Sequence, residues 1–468
     1  MAGPDHPRAG AAADTTGASM LRRVARIPVC GIWATHRLAG GFGLAPKGQN
    51  DPVLDRTVLV LLPLLALGGA GCGGGEEPVA GVAAAGQSPG TTSSVTSAPT
   101  VPAAVAPPSA ASPASSSPAS APPARAAAKP PARLGLTLAQ LVGQRLVASF
   151  RGTATPPAAL VSRIRRGELA GVVLFAENAS TLAQARRLTR RLQAIRRPAA
   201  VRGAPLLIMV DQEGGLVRRI TDAPPRRAAL AAARAGDARA IEAEGRRTGR
   251  ALRRAGINVD LAPVADVPRA GSAMLREQRT YGMTAAQVRR YAPRFARGLV
   301  RGGVQATAKH FPGFGAATVN TDAAPATIRL SRAQLRAVDE RAARDVVAAG
   351  AGLVMLSNAI YPALDARRPA TLSRAIATTE LRERAGFAGV SITDDLEANA
   401  LRRYGAAGAV AVASVRAGAD LLILGRSAAA TERAARSLEA AARDGRLPRA
   451  GLEASAARVL ALRRATAR

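Results

Sequence analysis

The chain has 468 residues and a formal net charge of +33, and arginine carries nearly all of it: of 65 Lys+Arg, three are lysine (Lys47, Lys129 and Lys309). Both cysteines, Cys30 and Cys72, precede residue 134, and His310 is the single histidine after it, which excludes a disulfide framework, a thiolate metal site and a His-based metal cluster from residues 134–468. Arginine pairs such as Arg186-Arg187, Arg190-Arg191 and Arg253-Arg254 have no interleaved aromatics and no recognition motif, so they read as solvated helix faces and exclude nucleic acid as a partner; a cationic surface does favour an anionic cell envelope.

In chain order, residues 1–52 show no core pattern and read as a disordered or mis-started extension. Residues 53–72 read as an export signal: Asp55-Arg56, the apolar run 57–67, then Gly68-Gly69-Ala70-Gly71-Cys72. The run is too short to span a bilayer stably, and the cysteine after Gly-Ala-Gly resembles a lipobox, with Cys72 as a lipid anchor. Residues 73–133 are Ala, Pro, Ser, Thr and Gly with almost no large apolar side chains, so they cannot bury enough surface to offset ordering entropy and read as a disordered tether.

From residue 134 the pattern changes. Apolar runs at 145–150, 171–175, 205–210, 257–261, 304–308, 352–356, 389–393 and 420–424 each precede a helix-compatible Ala/Leu/Arg segment. Near-continuous apolar strands between helices predict a parallel sheet covered on both faces, and eight such units predict a single (β/α)₈ TIM-type barrel over 134–468. A doubly wound sheet is the alternative, weakened because no Gly-x-Gly-x-x-Gly follows the first run.

Polar residues gather just after five consecutive strands: Asp211-Gln212-Glu213, then Asp260 and Asp266, Lys309-His310, Ser357-Asn358, and Asp394-Asp395. A lone carboxylate at a strand end is explained as a helix cap, whereas five strands feeding one rim predict an active site on the C-terminal face of the barrel. Carboxylates with nearby donors and no metal or phosphate loop suit glycoside chemistry, where one carboxylate attacks or steadies the anomeric carbon and a second group protonates the leaving oxygen. A Schiff-base role for Lys309 is the competing chemistry, but it needs a desolvated lysine away from charge.

These residues carry a resemblance. Asp211-Gln212-Glu213-Gly214-Gly215, Ala262-Pro263-Val264-Ala265-Asp266-Val267, Arg279-Thr280-Tyr281-Gly282, Lys309-His310-Phe311-Pro312-Gly313, Pro369-Ala370-Thr371-Leu372-Ser373 and Thr393-Asp394-Asp395-Leu396 resemble, in order, the motifs of glycoside hydrolase family 3. The similar branch is the single-domain bacterial β-N-acetylglucosaminidases that act on peptidoglycan fragments. The resemblance implies a retaining β-glycosidase without cofactor or metal, a monomer acting on carbohydrate. It implies Asp394 as nucleophile, with Asp211, Arg279, Lys309 and His310 holding the terminal sugar.

The chain also departs from that branch. Phe314 stands where a histidine often follows Lys-His-Phe-Pro-Gly, Asn320-Thr321-Asp322 replaces the Asp-Ser-His that supplies the acid/base, and Asn358 replaces a frequent histidine. Three readings stay open: Asp322 as a carboxylic acid/base on a loop; a site that binds sugar but hydrolyses poorly, in an envelope lipoprotein; or a preference for activated substrates or another acceptor. Sugar stacking falls to Tyr281, Phe311 or Phe314, of which Phe311 reads as core.

Overall fold

Strands whose residues are apolar at every position must be covered on both faces, and a closed barrel ringed by helices does this. The structure is a computed structural model and describes residues 134–150 and 155–467; the extension, export signal, Cys72 and tether read from the sequence lie outside these residues. The barrel strands are β1 (Leu146–Ala148), β2 (Gly171–Leu174), β3 (Leu207–Val210), β4 (Val259–Asp260), β5 (Gln305–Phe311), β6 (Leu353–Leu356), β7 (Val390–Asp395) and β8 (Leu421–Leu424). They close in sequence order, all parallel, with β8 pairing back onto β1 through Leu146 and Leu422. The predicted (β/α)₈ barrel is the observed fold.

Side-chain alternation splits the core into two layers. Val173, Leu207, Met209, Val259, Leu353, Met355, Val390, Ile392, Leu421 and Ile423 fill the interior. Val172, Leu174, Ile208, Val210 and Val354 face the surrounding helices. The helices begin where capping residues say they should: Thr181 and Gln184 form a reciprocal box at Leu182–Ala194, and Asp237 and Thr284 cap Ala238–Arg254 and Ala285–Arg301. On Leu182–Ala194, Leu188 and Leu192 are buried while Arg186, Arg187, Arg190 and Arg191 are exposed, as expected of solvated basic faces.

Strand limits differ from expectation by a residue or more throughout, and three bear on the site, β7 among them because it runs on through Asp394 and Asp395. β4 holds two residues rather than the whole run 257–261. β5 runs on through Phe311, so Lys309-His310 belongs to the strand rather than to the loop after it. Backbone pairing explains the extension: Lys309 sits opposite Met355, its carbonyl accepts from Ala265 N–H at 2.6 Å, and the Phe311 carbonyl accepts from Ser357 N–H at 2.9 Å. Short hairpins decorate the mouth, Gln212–Gly214 with Val217–Arg218 after β3 and Ile360–Tyr361 with Asp365–Pro369 after β6.

Candidate active site

The same alternation aims the site residues. Leu207 and Met209 point inward, so Asp211 follows them into the mouth; Val390 and Ile392 do the same for Asp394, and Thr307 for Lys309. A cavity of about 800 Å³ opens there, and Asp211, Arg279, Lys309, His310, Asp322 and Asp394 all line it. The fold therefore brings every predicted site residue to one space.

Lys309 is 2 % exposed and sits between two carboxylates, with Nζ 2.8 Å from Asp211 Oδ1 and 2.6 Å from Glu213 Oε1. Burial lowers its proton affinity, but the Asp211 and Glu213 charges outweigh it and hold the ammonium above the ordinary lysine range. This is a charged lysine, not the desolvated amine that Schiff-base chemistry needs. Glu213 also takes the Arg279 fork, Nε to Oε2 and Nη2 to Oε1, both at 2.9 Å, while Arg279 Nη1 reaches Glu277 at 3.0 Å. Burial pushes the Glu213 carboxyl up, and Arg279 and Lys309 overcome that and hold it far below the carboxylate range. The network fixes both cations and still leaves one Lys309 N–H and two Arg279 N–H groups for a ligand.

Asp266 organises His310. One oxygen accepts the backbone N–H groups of His310 (3.0 Å) and Phe314 (2.7 Å), and the other lies 2.7 Å from His310 Nδ1. This contact engages Nδ1, and Nε2 is the ring nitrogen that Asp266 leaves for the cavity His310 lines. The Lys309–His310 and Phe311–Pro312 peptide bonds are cis.

Asp394 closes the opposite wall. Burial raises its carboxyl above the ordinary range, His310 and Lys309 pull it back, and the Asp322 charge adds to the rise. Asp322 stands in the loop after β5 with its side chain 63 % exposed. Next to Asp394, burial pushes Asp395 up to about 6; its Oδ1 accepts from the Glu397 and Gly425 backbone N–H groups at 3.0 Å each.

Several rim residues support the site without facing it. Asp260 alternates outward, is fully buried and accepts the Gln212 N–H at 3.0 Å, and burial raises it well above its usual value. Asn358 donates to the Asp395 carbonyl at 2.9 Å and accepts from Thr371 at 2.7 Å, which makes it a strut between β6 and β7. Of the three aromatics read as stacking candidates, Tyr281 packs on Phe295 and Phe311 is core, while Phe314 lines the cavity edge-on to His310. The aromatic missed by that reading is Phe175, which follows inward-facing Val173 off β2, carries the Arg219 guanidinium 5.8 Å above its ring and lines the cavity. Glu213 was also missed as a site residue, although its i, i+2 spacing from Asp211 at a strand end already placed two carboxylates on one side. Arg426 was missed because the strand-end reading stopped at β7.

Barrel and rim define the class: a (β/α)₈ barrel with carboxylates gathered at its C-terminal mouth, where enzymes of this fold place their active sites. Residues 137–462 match the family model described as Glycosyl hydrolase family 3 N terminal domain. The chain is 37 % identical over 342 residues to an uncharacterised secreted glycosyl hydrolase of Arthroderma benhamiae, covering 72 % of this chain and 96 % of that one. It is 32 % identical over 280 residues to a beta-hexosaminidase of Methylobacillus flagellatus, covering 56 % and 75 %. Among solved structures, the family 3 beta-N-acetylglucosaminidase of Paenibacillus sp. str. FPU-7 superposes with a TM-score of 0.67 at 34 % identity, over 71 % of this chain and 64 % of that one. The chain belongs to glycoside hydrolase family 3 and is a hydrolase of O-glycosyl bonds.

Proposed function

We propose that this protein is a retaining β-N-acetylhexosaminidase in which Asp394 is the nucleophile and Asp322 the acid/base. The observation that carries the reading is the sharing of one cavity by both carboxylates and the Lys309–His310–Arg279–Asp211 clamp. In the first step Asp322 gives its proton to the glycosidic oxygen, the bond from that oxygen to the anomeric carbon breaks, and Asp394 bonds to that carbon. In the second, Asp322 takes a proton from water, whose oxygen replaces Asp394. The free donors of Lys309 and Arg279, His310 Nε2 and the Asp211 carboxylate bind the sugar hydroxyls, and no cofactor or metal enters. The hexosaminidase and acetylglucosaminidase names of the Methylobacillus and Paenibacillus relatives support an N-acetylated amino sugar such as one from the cell wall. Residues 134–468 form the catalytic domain of a monomer, exported and held at the envelope through Cys72 and the 73–133 tether; the secreted Arthroderma relative supports export.

A chromogenic β-N-acetylglucosaminide tests the reading. Asp394→Asn should lower turnover on the order of 10⁶-fold, the loss on removing a covalent nucleophile, and unchanged turnover would remove Asp394 from the nucleophile role. Asp322→Asn should lose far more rate on natural disaccharides than on glycosides with acidic leaving groups, and equal losses exclude it as acid/base. A wild-type chain that binds the sugar but turns over neither substrate would be a sugar-binding protein.

A further inference from the structure

The loop after β5 does not hang free over the cavity. Its apex is stitched to the segment after β7, with Asn399 N–H donating to the Asp322 carbonyl at 3.4 Å and Ala400 N–H to the Thr321 carbonyl at 3.1 Å. A third strand end joins them through one side chain, Arg426, which follows β8. Its Nη2 lies 3.6 Å from Asp322 Oδ1 and donates to the Asp322 carbonyl at 3.4 Å, while its Nε lies 3.5 Å from Asp395 Oδ2.

The root of Arg426 is held more firmly than its head. Glu397, from the β7 segment, accepts the backbone N–H groups of Arg426 (2.7 Å) and Ser427 (3.1 Å), and Asp395 accepts that of Gly425 at 3.0 Å. A long side chain in an open mouth normally loses rotamer entropy to make one weak, exposed pair. Here the turn is anchored by the Glu397 and Asp395 carboxylates, and the planar fork spans from Asp395 to Asp322. A guanidinium does this because its donors diverge within one plane; an ammonium is a single point. The Arg426 head thus meets the Asp322 loop on one side and the Asp395 turn on the other.

We infer that Arg426 is a positioning residue for the acid/base: it ties the Asp322 loop to the rim after β7 and β8 and acts on hydrolysis through Asp322 alone. The inference rests on the assignment of Asp322 made above. Proton donation matters most when the leaving oxygen is a poor leaving group and least when it is acidic. A residue that merely stabilises the barrel would lower both rates together, and one that binds the sugar directly would raise KM on both.

The test uses the full chain and compares a natural β-linked disaccharide with the 2,4-dinitrophenyl glycoside of the same sugar. Arg426→Ala should lower kcat/KM, which reports the first step alone, by about 10- to 100-fold on the disaccharide, less than the roughly 10²–10⁴-fold of complete general acid catalysis, and by less than about twofold on the aryl glycoside. Arg426→Lys, which keeps the charge but not the fork, should fall between wild type and Arg426→Ala, and it carries the comparison if the alanine variant fails to fold. In the pair Asp322→Asn with Arg426→Ala, the double variant should lose no more than Asp322→Asn alone. Additive losses, equal losses on the two substrates, or a rise in KM without a fall in kcat would overturn the positioning role while leaving Asp322 in place. If Asp322→Asn itself shows no leaving-group dependence, the acid/base assignment falls and takes this inference with it.

Discussion

Lys309 answers to a geometry that arginine does not meet. Its Nζ lies within 2.8 Å of Asp211 and 2.6 Å of Glu213, while the two Glu213 oxygens already receive the Arg279 fork. A second planar fork cannot enter that space without displacing the first, whereas a compact ammonium donates in three directions. This accounts for a lysine in a chain that elsewhere in residues 134–468 uses only arginine. Lys309→Arg should therefore lower kcat/KM on a β-N-acetylglucosaminide by about 100-fold, the loss associated with a misplacement of roughly 1 Å, with an unchanged circular dichroism spectrum. Wild-type activity in that variant would mean that the sugar does not sit on the clamp. The lysine was legible in the sequence through its rarity; Glu213 as the hub of the clamp was not, because only the fold brings Arg279 to it.

The turn that follows Lys309-His310 shows how an element carries the site. Gly313 has φ +140°, and a Cβ there would stand 2.3 Å from Asp339 Cβ, so glycine is required by both conformation and space. The turn is pinned by Asp266, which accepts from both His310 and Phe314, and by Tyr361, whose hydroxyl donates to the Gly313 carbonyl at 3.1 Å. Gly313→Ala should destabilise the protein by about 1–3 kcal/mol, as overpacking of a closed site does, read from the denaturant midpoint. It should also lower activity, because His310 and Asp322 flank the same loop. The Pro-Gly turn was visible in the sequence. The gathering of three groups on Asp266 was not, since 44 residues separate it from His310.

For the whole molecule, buried acids set the pH response. Burial pushes the Asp339 carboxyl from 3.8 to about 6, outweighing the Arg269 guanidinium 2.7 Å away. A carboxyl raised in the folded state binds its proton more tightly there than in the unfolded chain. Its stabilising contribution is therefore complete below pH 3.8 and is lost as pH rises through about 6. A shift of roughly two units corresponds to about 3 kcal/mol at most. Glu213 works in the opposite sense, since its carboxyl is held down and its contribution is lost in acid. Asp339→Asn should remove the Asp339 component alone: between pH 4 and 7 its Tm should fall less, or rise more, than that of the wild type. Parallel Tm profiles for the two proteins would show that Asp339 does not titrate there.

The sequence by itself determined the barrel and the rim. Eight apolar runs separated by helical segments admit few other arrangements, and Asp211, Lys309 and Asp394 were legible as polar groups at strand ends; the alternation that aims them into the mouth appears in the strands themselves. What tertiary structure alone decided was partnership. Asp260 faces outward although it ends a strand, Asn358 is a strut between strands, Glu213 joins Lys309 to an arginine 66 residues away, and Arg426 closes a bridge over 104 residues to Asp322. Local pattern encodes direction along a strand. It carries no record of which distant loops meet at the mouth, because that depends on how eight strands of different length close into one ring.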